Sequence, residues 1–172
     1  MASLRTPQTG EYNPYYQTYM NYVQEDVMEM LHQQQNDLSN LLESIEAEEL
    51  DYRYEENKWN LREVLVHILD TERIFAYRSL SVSRGEERDH MGFDQNDYMD
   101  NSNYSHLTAI DLLIDFNAIR SATISLFENM TQVQVQRIGL VSGGPFMANS
   151  GAYIIAGHFA HHMKIIKERY LN

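Results

Sequence analysis

Gly157-His158-Phe159-Ala160-His161-His162-Met163-Lys164-Ile165-Ile166-Lys167 decides how this chain folds. Its apolar positions recur at helical spacing, and it carries three histidines within five residues. Side chains four apart share a helix face, with Cβ atoms about 5–6 Å from one another. His158 and His162 are therefore neighbours able to share one metal ion. At roughly 100° per residue, Ile155, His162, Ile166 and Phe159 fall on one arc beside His158. The apolar face centres near His162. His161 falls on the other flank beside Glu168, and Lys164 and Lys167 point away. His158 and His162 are the inward pair, and His161 is an edge residue. Two buried imidazoles without partners are costly, which weighs against two solitary core histidines.

The next stretch outward is Trp59-Asn60-Leu61-Arg62-Glu63. Asn60 can cap a helix and Glu63, three residues on, can reach back to it. Trp59 reads as a packing anchor. The helix runs to about Arg84. Taking His67 as the reference, Val64, Thr71, Ile74, Phe75 and Arg78 lie on one arc with it, so His67 also faces inward. A further helix starts at Thr108 with Asp111. Its buried stripe is Leu112, Phe116, Ile119, Thr123, Leu126, Phe127 and Met130. An earlier one covers Met20 to Ile45, with Val23, Val27, Leu31, Leu38, Leu41 and Ile45 inward and Gln34 as an interruption. Asn149 or Ser150 caps the last.

Four amphipathic segments and no convincing strand pattern predict an all-α four-helix bundle, one domain over residues 1–172. Ser142-Gly143-Gly144-Pro145 cannot continue a helix, and it lacks the lysine and setting of a phosphate loop. Gly85 to Ser105 reads as a long connection between the second and third helices. Such loops are often functional, and this one permits a topology other than up-and-down. Met91-Gly92-Phe93-Asp94 is expected to pin it, leaving Asp94 either facing a cleft or making a turn. His32, His90 and His106 have polar neighbours and are expected at the surface. Residues 1–13 are polar and read as a flexible arm. Tyr12, Tyr15, Tyr16, Tyr19 and Tyr22 are too many for solvent alone. They lay that arm against the body or a second subunit, with pocket lining as a further role.

Composition narrows the function. The net charge of −12 repels nucleic-acid phosphates and anionic lipid, and no Lys/Arg cluster offsets it. No apolar run reaches the roughly 18 residues of a membrane span. The N-terminus lacks the apolar core of a signal peptide, so a cytoplasmic protein is expected. There is no cysteine, so any metal is held by His, Asp or Glu. In a bundle such a site forms between facing helices, here His67 with His158 and His162. Three neutral imidazoles suit zinc or nickel, and also copper or iron, and leave a coordination position open. Ligation needs neutral imidazole. From a reference pKa of about 6.5, metal affinity is expected to weaken as pH falls through that value. Thr71, Arg78 and Asp94 are candidates for the outer shell or for substrate. No general base stands out.

The order and spacing of several stretches resemble the DinB/YfiT-like superfamily of metal-dependent enzymes. They are Lys58 to His67, Asp70 to Arg78, Gly92-Phe93-Asp94, Ala156 to His162 and Lys167 to Leu171. The resemblance covers nearly the whole chain. It implies a four-helix bundle with a three-histidine metal site, whose ligands fall on His67, His158 and His162. Asn60 stands where many members have Ser, and both cap well. Asp94 matches the loop motif with no role carried over. The implied activities are broad. Some relatives use low-molecular-weight thiols such as bacillithiol or mycothiol as transferases or isomerases, and others are hydrolases. Two readings result. One is a metal-dependent hydrolase or small-thiol S-transferase acting on a small molecule. The other is a non-catalytic homodimeric bundle with a structural metal or none.

Overall fold

The structure is a computed structural model describing residues 2–171. After a 3₁₀ turn, Pro14–Tyr16, comes the one-turn helix α1, Gln17–Met20. Asp26 then accepts the N–H groups of Met28 and Glu29 and starts α2, Val27–Ser44. The sequence reading ran one helix from Met20 to Ile45. The new cap at Asp26 ends that continuity, and α1 packs separately against the last helix. A 3₁₀ turn, Ala47–Asp51, leads to α3, Leu61–Ser83. Its start is the expected reciprocal pair. Asn60 Oδ1 accepts from the Glu63 N–H at 2.8 Å, and the Glu63 carboxylate accepts from the Asn60 N–H at 2.8 Å. Next come α4, Gln95–Asp100, then α5, Ala109–Glu128, capped by Thr108 and Asp111, and the short α6, Gln132–Val135.

Two four-residue strands follow, β1 (Ile138–Val141) and β2 (Gly144–Met147), paired antiparallel. The sequence reading found no strand here, because four residues carry too little alternation. The turn between them, Ser142-Gly143, has φ of 51° and 73°. Both residues are left-handed, as a two-residue hairpin requires. Tyr12 bridges Phe146 on one side and His90 bridges Val141 on the other. The last helix, α7, spans Ser150–Ile165 and widens into a π turn, Ile166–Tyr170. Asn149 precedes it without capping it by its side chain, which donates to the Arg5 carbonyl instead.

The long helices are α2, α3, α5 and α7, and they enclose two apolar clusters. One holds Leu31, Phe75, Phe127 and Ile155. The other holds Leu38, Leu65, Phe116 and Phe159. Gln34, Glu72, Arg120 and His158 are buried between them. The order in which each helix meets the clusters gives its direction. α2 and α7 run one way, and α3 and α5 run the other. α3 packs on α7 and α5, and α2 packs on the same two. Consecutive long helices α2 and α3 thus lie across a diagonal, as do α5 and α7. Because α3 and α5 are parallel neighbours, the chain between them must return the length of the bundle, about 30 Å for a 20-residue helix. That is why residues 84–108 are so long. On the way His90 pairs with the hairpin, and Met99 is buried against the second cluster. Met91 is 86 % exposed, so it does not pin this segment. Its carbonyl does, accepting from Arg78 Nη2 at 2.7 Å.

The arm expected to be flexible is tied down over its described part. Leu4 O accepts from the Tyr153 hydroxyl, Arg5 O from Asn149 Nδ2, and Glu11 O from the Met147 N–H. Two side chains and one main-chain N–H thus meet the arm's backbone acceptors. Among the described residues no helix is long and apolar enough to cross a membrane.

Candidate metal centre

His67 stands on α3 and His158 and His162 on α7, two helices that pack closely together. Gly151 permits the approach. A Cβ there would lie 1.9 Å from Ser79 Oγ and 3.2 Å from the Phe75 carbonyl. The three imidazoles meet in the gap. Ring centroids are 4.8 Å apart for His67–His158, 4.9 Å for His67–His162 and 4.4 Å for His158–His162. One nitrogen from each lies within 4.8 Å of the other two. His67 Nε2 and His158 Nε2 are 2.9 Å apart. Either one donates a proton to the other, or both lone pairs converge on a cation. Nitrogens about 2.0–2.1 Å from a shared ion stand roughly 3 Å apart, so the donor set fits a divalent metal.

Burial keeps these rings neutral. It pushes the His67 pKa down to about 4 and that of His162 to about 3, the latter helped by His67 and His161. His158 is driven well below the ordinary histidine value by burial, then by the neighbouring histidines. Two aromatic rings hold the site. Tyr19 meets His158 edge-on at 5.2 Å, and Trp59 meets His67 at 5.0 Å. Trp59 is itself fixed from the far end of the chain, where the Tyr170 hydroxyl donates to its carbonyl at 2.6 Å. The π turn carries Tyr170 to that position.

His67 and His158 lie on the wall of a cavity of about 490 Å³. One side is α3, through Thr71, Phe75 and Arg78. The other is built from Tyr16, Tyr19 and residues of the long connection, including Phe93 and Asp94. A pocket of this size accepts a small molecule.

The family model of the DinB superfamily matches residues 30–166. The chain belongs to the DinB superfamily. Its structure is also similar to that of YfiT from Bacillus subtilis, described as a probable metal-dependent hydrolase with an unusual four-helix bundle topology. The TM-score is 0.68 at 16 % identity, over 95 % of this chain and 93 % of that one, a likeness of fold. No curated protein matches the chain at a significant level.

On this DinB bundle the histidines chosen by helical phase come together, and His161 stays outside the ligand group although its ring lies 5.1 Å from that of His162. Its Nδ1 lies 3.4 Å from the Tyr22 hydroxyl, and its ring also meets Tyr19. Thr71 and Arg78 face the cavity. Asp94 lies on the cavity wall but is exposed, and its Oδ1 accepts the N–H groups of Asn96 and Asp97 as the cap of α4. Two contributors were not assigned to the site from sequence. Tyr19 was one of five tyrosines with no feature to separate it from the rest. Trp59 was read as packing, and what it packs on is His67. His90, expected at the surface, is half-buried in its bridge to β1.

Proposed function

We propose that this protein is a metal-dependent hydrolase of a small molecule, with one divalent cation, zinc or nickel, held by His67, His158 and His162. The observation that carries the reading is the convergence of three neutral imidazoles, two of them on the wall of a 490 Å³ cavity. Family membership and the description of YfiT support it. Among the described residues no fourth His, Asp or Glu joins the cluster. A three-ligand set favours a catalytic over a closed structural site. A divalent ion held by His67, His158 and His162 would supply Lewis acidity. The chain's own groups do the rest. Trp59 and Tyr19 orient the imidazoles and exclude water from their backs. Thr71 offers a hydroxyl to the ligand. Asp94 places a carboxylate on the cavity wall, its Oδ1 held by the first N–H groups of α4.

Small-thiol transfer is the second reading, favoured by a cavity with room for two small reactants. Without cysteine in the chain, the thiol is a co-substrate. The test is metal analysis of protein purified without a histidine tag, followed by ester, amide and thiol-conjugation assays on the same sample. Metal content near one per chain is expected, with activity and metal lost in His67→Ala, His158→Ala and His162→Ala. His161→Ala keeps its metal, because that ring rests on Tyr22 and Tyr19. Loss of metal in His161→Ala but not in His162→Ala overturns the ligand set. Thiol conjugation without hydrolysis selects the second reading.

A further inference from the structure

Arg78 is 3 % exposed and lies on the same cavity wall as His67 and Thr71. The other two deeply buried arginines each have a carboxylate. Arg120 pairs with Glu72 at 2.8 Å and Arg62 with Asp51 at 3.0 Å. Among the described residues no carboxylate lies within ion-pair distance of Arg78. Its partners are neutral. They are the Met91 carbonyl, the Tyr16 hydroxyl and the faces of Phe75 and Phe93, 4.9 and 5.9 Å from the guanidinium carbon. Asp89 adds a favourable charge from beyond ion-pair distance and Asp94 shares the cavity wall, but each carboxylate has its hydrogen-bond partner elsewhere. Asp94 caps α4, and Asp89 accepts the Gly143 N–H at 3.0 Å. A buried charge without a counter-ion is costly, and the fork of an arginine suits a carboxylate or phosphate. A second polar group on the same wall is also unmet. Thr71 Oγ1 is buried with no hydrogen-bond partner.

We propose that Arg78 binds an oxyanion, a carboxylate or phosphate, on the substrate, with Thr71 as a hydroxyl contact between that anion and the histidines. This rests on the metal-dependent reading above and names its substrate class: an anionic small molecule. The spacing sets its length. His67 and Arg78 are about three turns apart on α3, and long side chains lean toward the helix N-terminus. The oxyanion and the reacting group are therefore on the order of 10 Å apart. Phe75 and Phe93 flank the guanidinium and keep water from competing for it.

The probes are mercaptohexanoate and mercaptohexanol, which share a metal-seeking thiol and differ in the charge at the far end. Their affinities for zinc-loaded protein are measured by calorimetry. Wild type is expected to prefer the acid by at least about tenfold, as for a desolvated hydrogen bond to a charged group. Arg78→Gln should bring the ratio near one while zinc content and mercaptohexanol affinity hold. Arg78→Lys should keep part of the preference, as a charge without the fork. Equal affinities in wild type, or a preference that survives in Arg78→Gln, overturn the proposal. The wild-type comparison decides even if a variant does not fold. If wild type takes up no zinc, the metal reading fails. Metal-free wild type and Arg78→Gln are then titrated with succinate and with inorganic phosphate. Binding only by wild type upholds the anion site and shows which oxyanion it takes, and no binding overturns it.

Discussion

The pKa values of three histidines separate two kinds of pH dependence. Unfolded, each titrates near the reference value of about 6.5. Folded without metal, burial holds His67 near 4 and His162 near 3, and His158 well below its ordinary value. Protons therefore compete with a cation only below about pH 4, not near 6.5 as the reference value suggests. Zinc affinity is expected to be level from pH 8 to 5 and to fall steeply near 4, as titration with a competing chelator will show. A decline beginning at pH 6.5 would mean the rings are more hydrated than the fold makes them. Stability behaves differently. Between 6.5 and 4 the unfolded chain binds more protons than the folded one, so the metal-free protein loses stability as pH drops through that window. Urea midpoints of metal-free protein across this range check the sign. At this scale helical phase made the histidines legible, because 3.6-residue periodicity says which side chains face inward. It could not say that Arg120 is fully buried. A charged residue within an apolar stripe reads as the stripe's edge, and only the partner, Glu72 on another helix, makes it core.

Two helix contacts carry the elements' energetics. Arg120 on α5 donates through Nε and Nη2 to both oxygens of Glu72 on α3, each at 2.8 Å. Its Nη1 reaches Gln34 of α2 at 2.8 Å, and Gln34 Nε2 reaches the Ala156 carbonyl of α7 at 2.8 Å. One network thus joins all four long helices. Arg120→Met leaves Glu72 buried and unpaired, a loss of about 3–5 kcal/mol. Changing Glu72→Leu as well should restore much of it, because the burden is the uncompensated charge. Denaturant melts of wild type, the single variant and the double variant measure both outcomes. The second contact is Gly157 under α1. A Cβ there would come 2.0 Å from the Tyr19 carbonyl, which is backbone and cannot swing aside. Gly157→Ala should gain a little helix propensity and lose more by lifting α1 from α7, a net cost of about 1–3 kcal/mol. Lifting α1 also takes the Tyr19 ring off His158, so zinc affinity should fall with stability. The four long helices were legible from their caps and stripes. Neither α1 as a separate turn nor the hairpin was. The break at 21–26 shows no Pro or Gly, and the strands are too short to alternate.

Across the whole molecule, two apolar clusters close without counting the histidines among their members; His158 lies where the two meet, and His67 and His162 lie alongside the second. Metal removal should therefore leave the helical circular dichroism and a cooperative melt intact. The midpoint should drop only by the linkage contribution, which grows with metal concentration over Kd. Unfolding on chelation would assign the ion a structural role. The long connection was legible as length, since Gly85 to Ser105 is polar. Its reason was not. The parallel pairing of α3 with α5 follows from which faces dock, and faces from different helices are not compared by reading along one chain. The short ladder Tyr12–β2–β1–His90 has a kinetic consequence. Its bridges join residue 12 to 146 and 90 to 141, closing long loops with few hydrogen bonds. Loop closure costs entropy before contacts repay it, so such pairings form late and open early. The segments they tie include Asn13, Gly92 and Ser142, all on the cavity wall. In native-state hydrogen exchange the His90 and Ser142 amides, bonded within this ladder, should open together at a free energy below that of global unfolding. The amide of Ile68, in mid-helix, should exchange only when the whole chain unfolds. Ligand entry would then be paced by the fraying of a few main-chain bonds, and a mutation at Gly143, in the turn but off the cavity wall, would change the association rate without touching a side chain that binds.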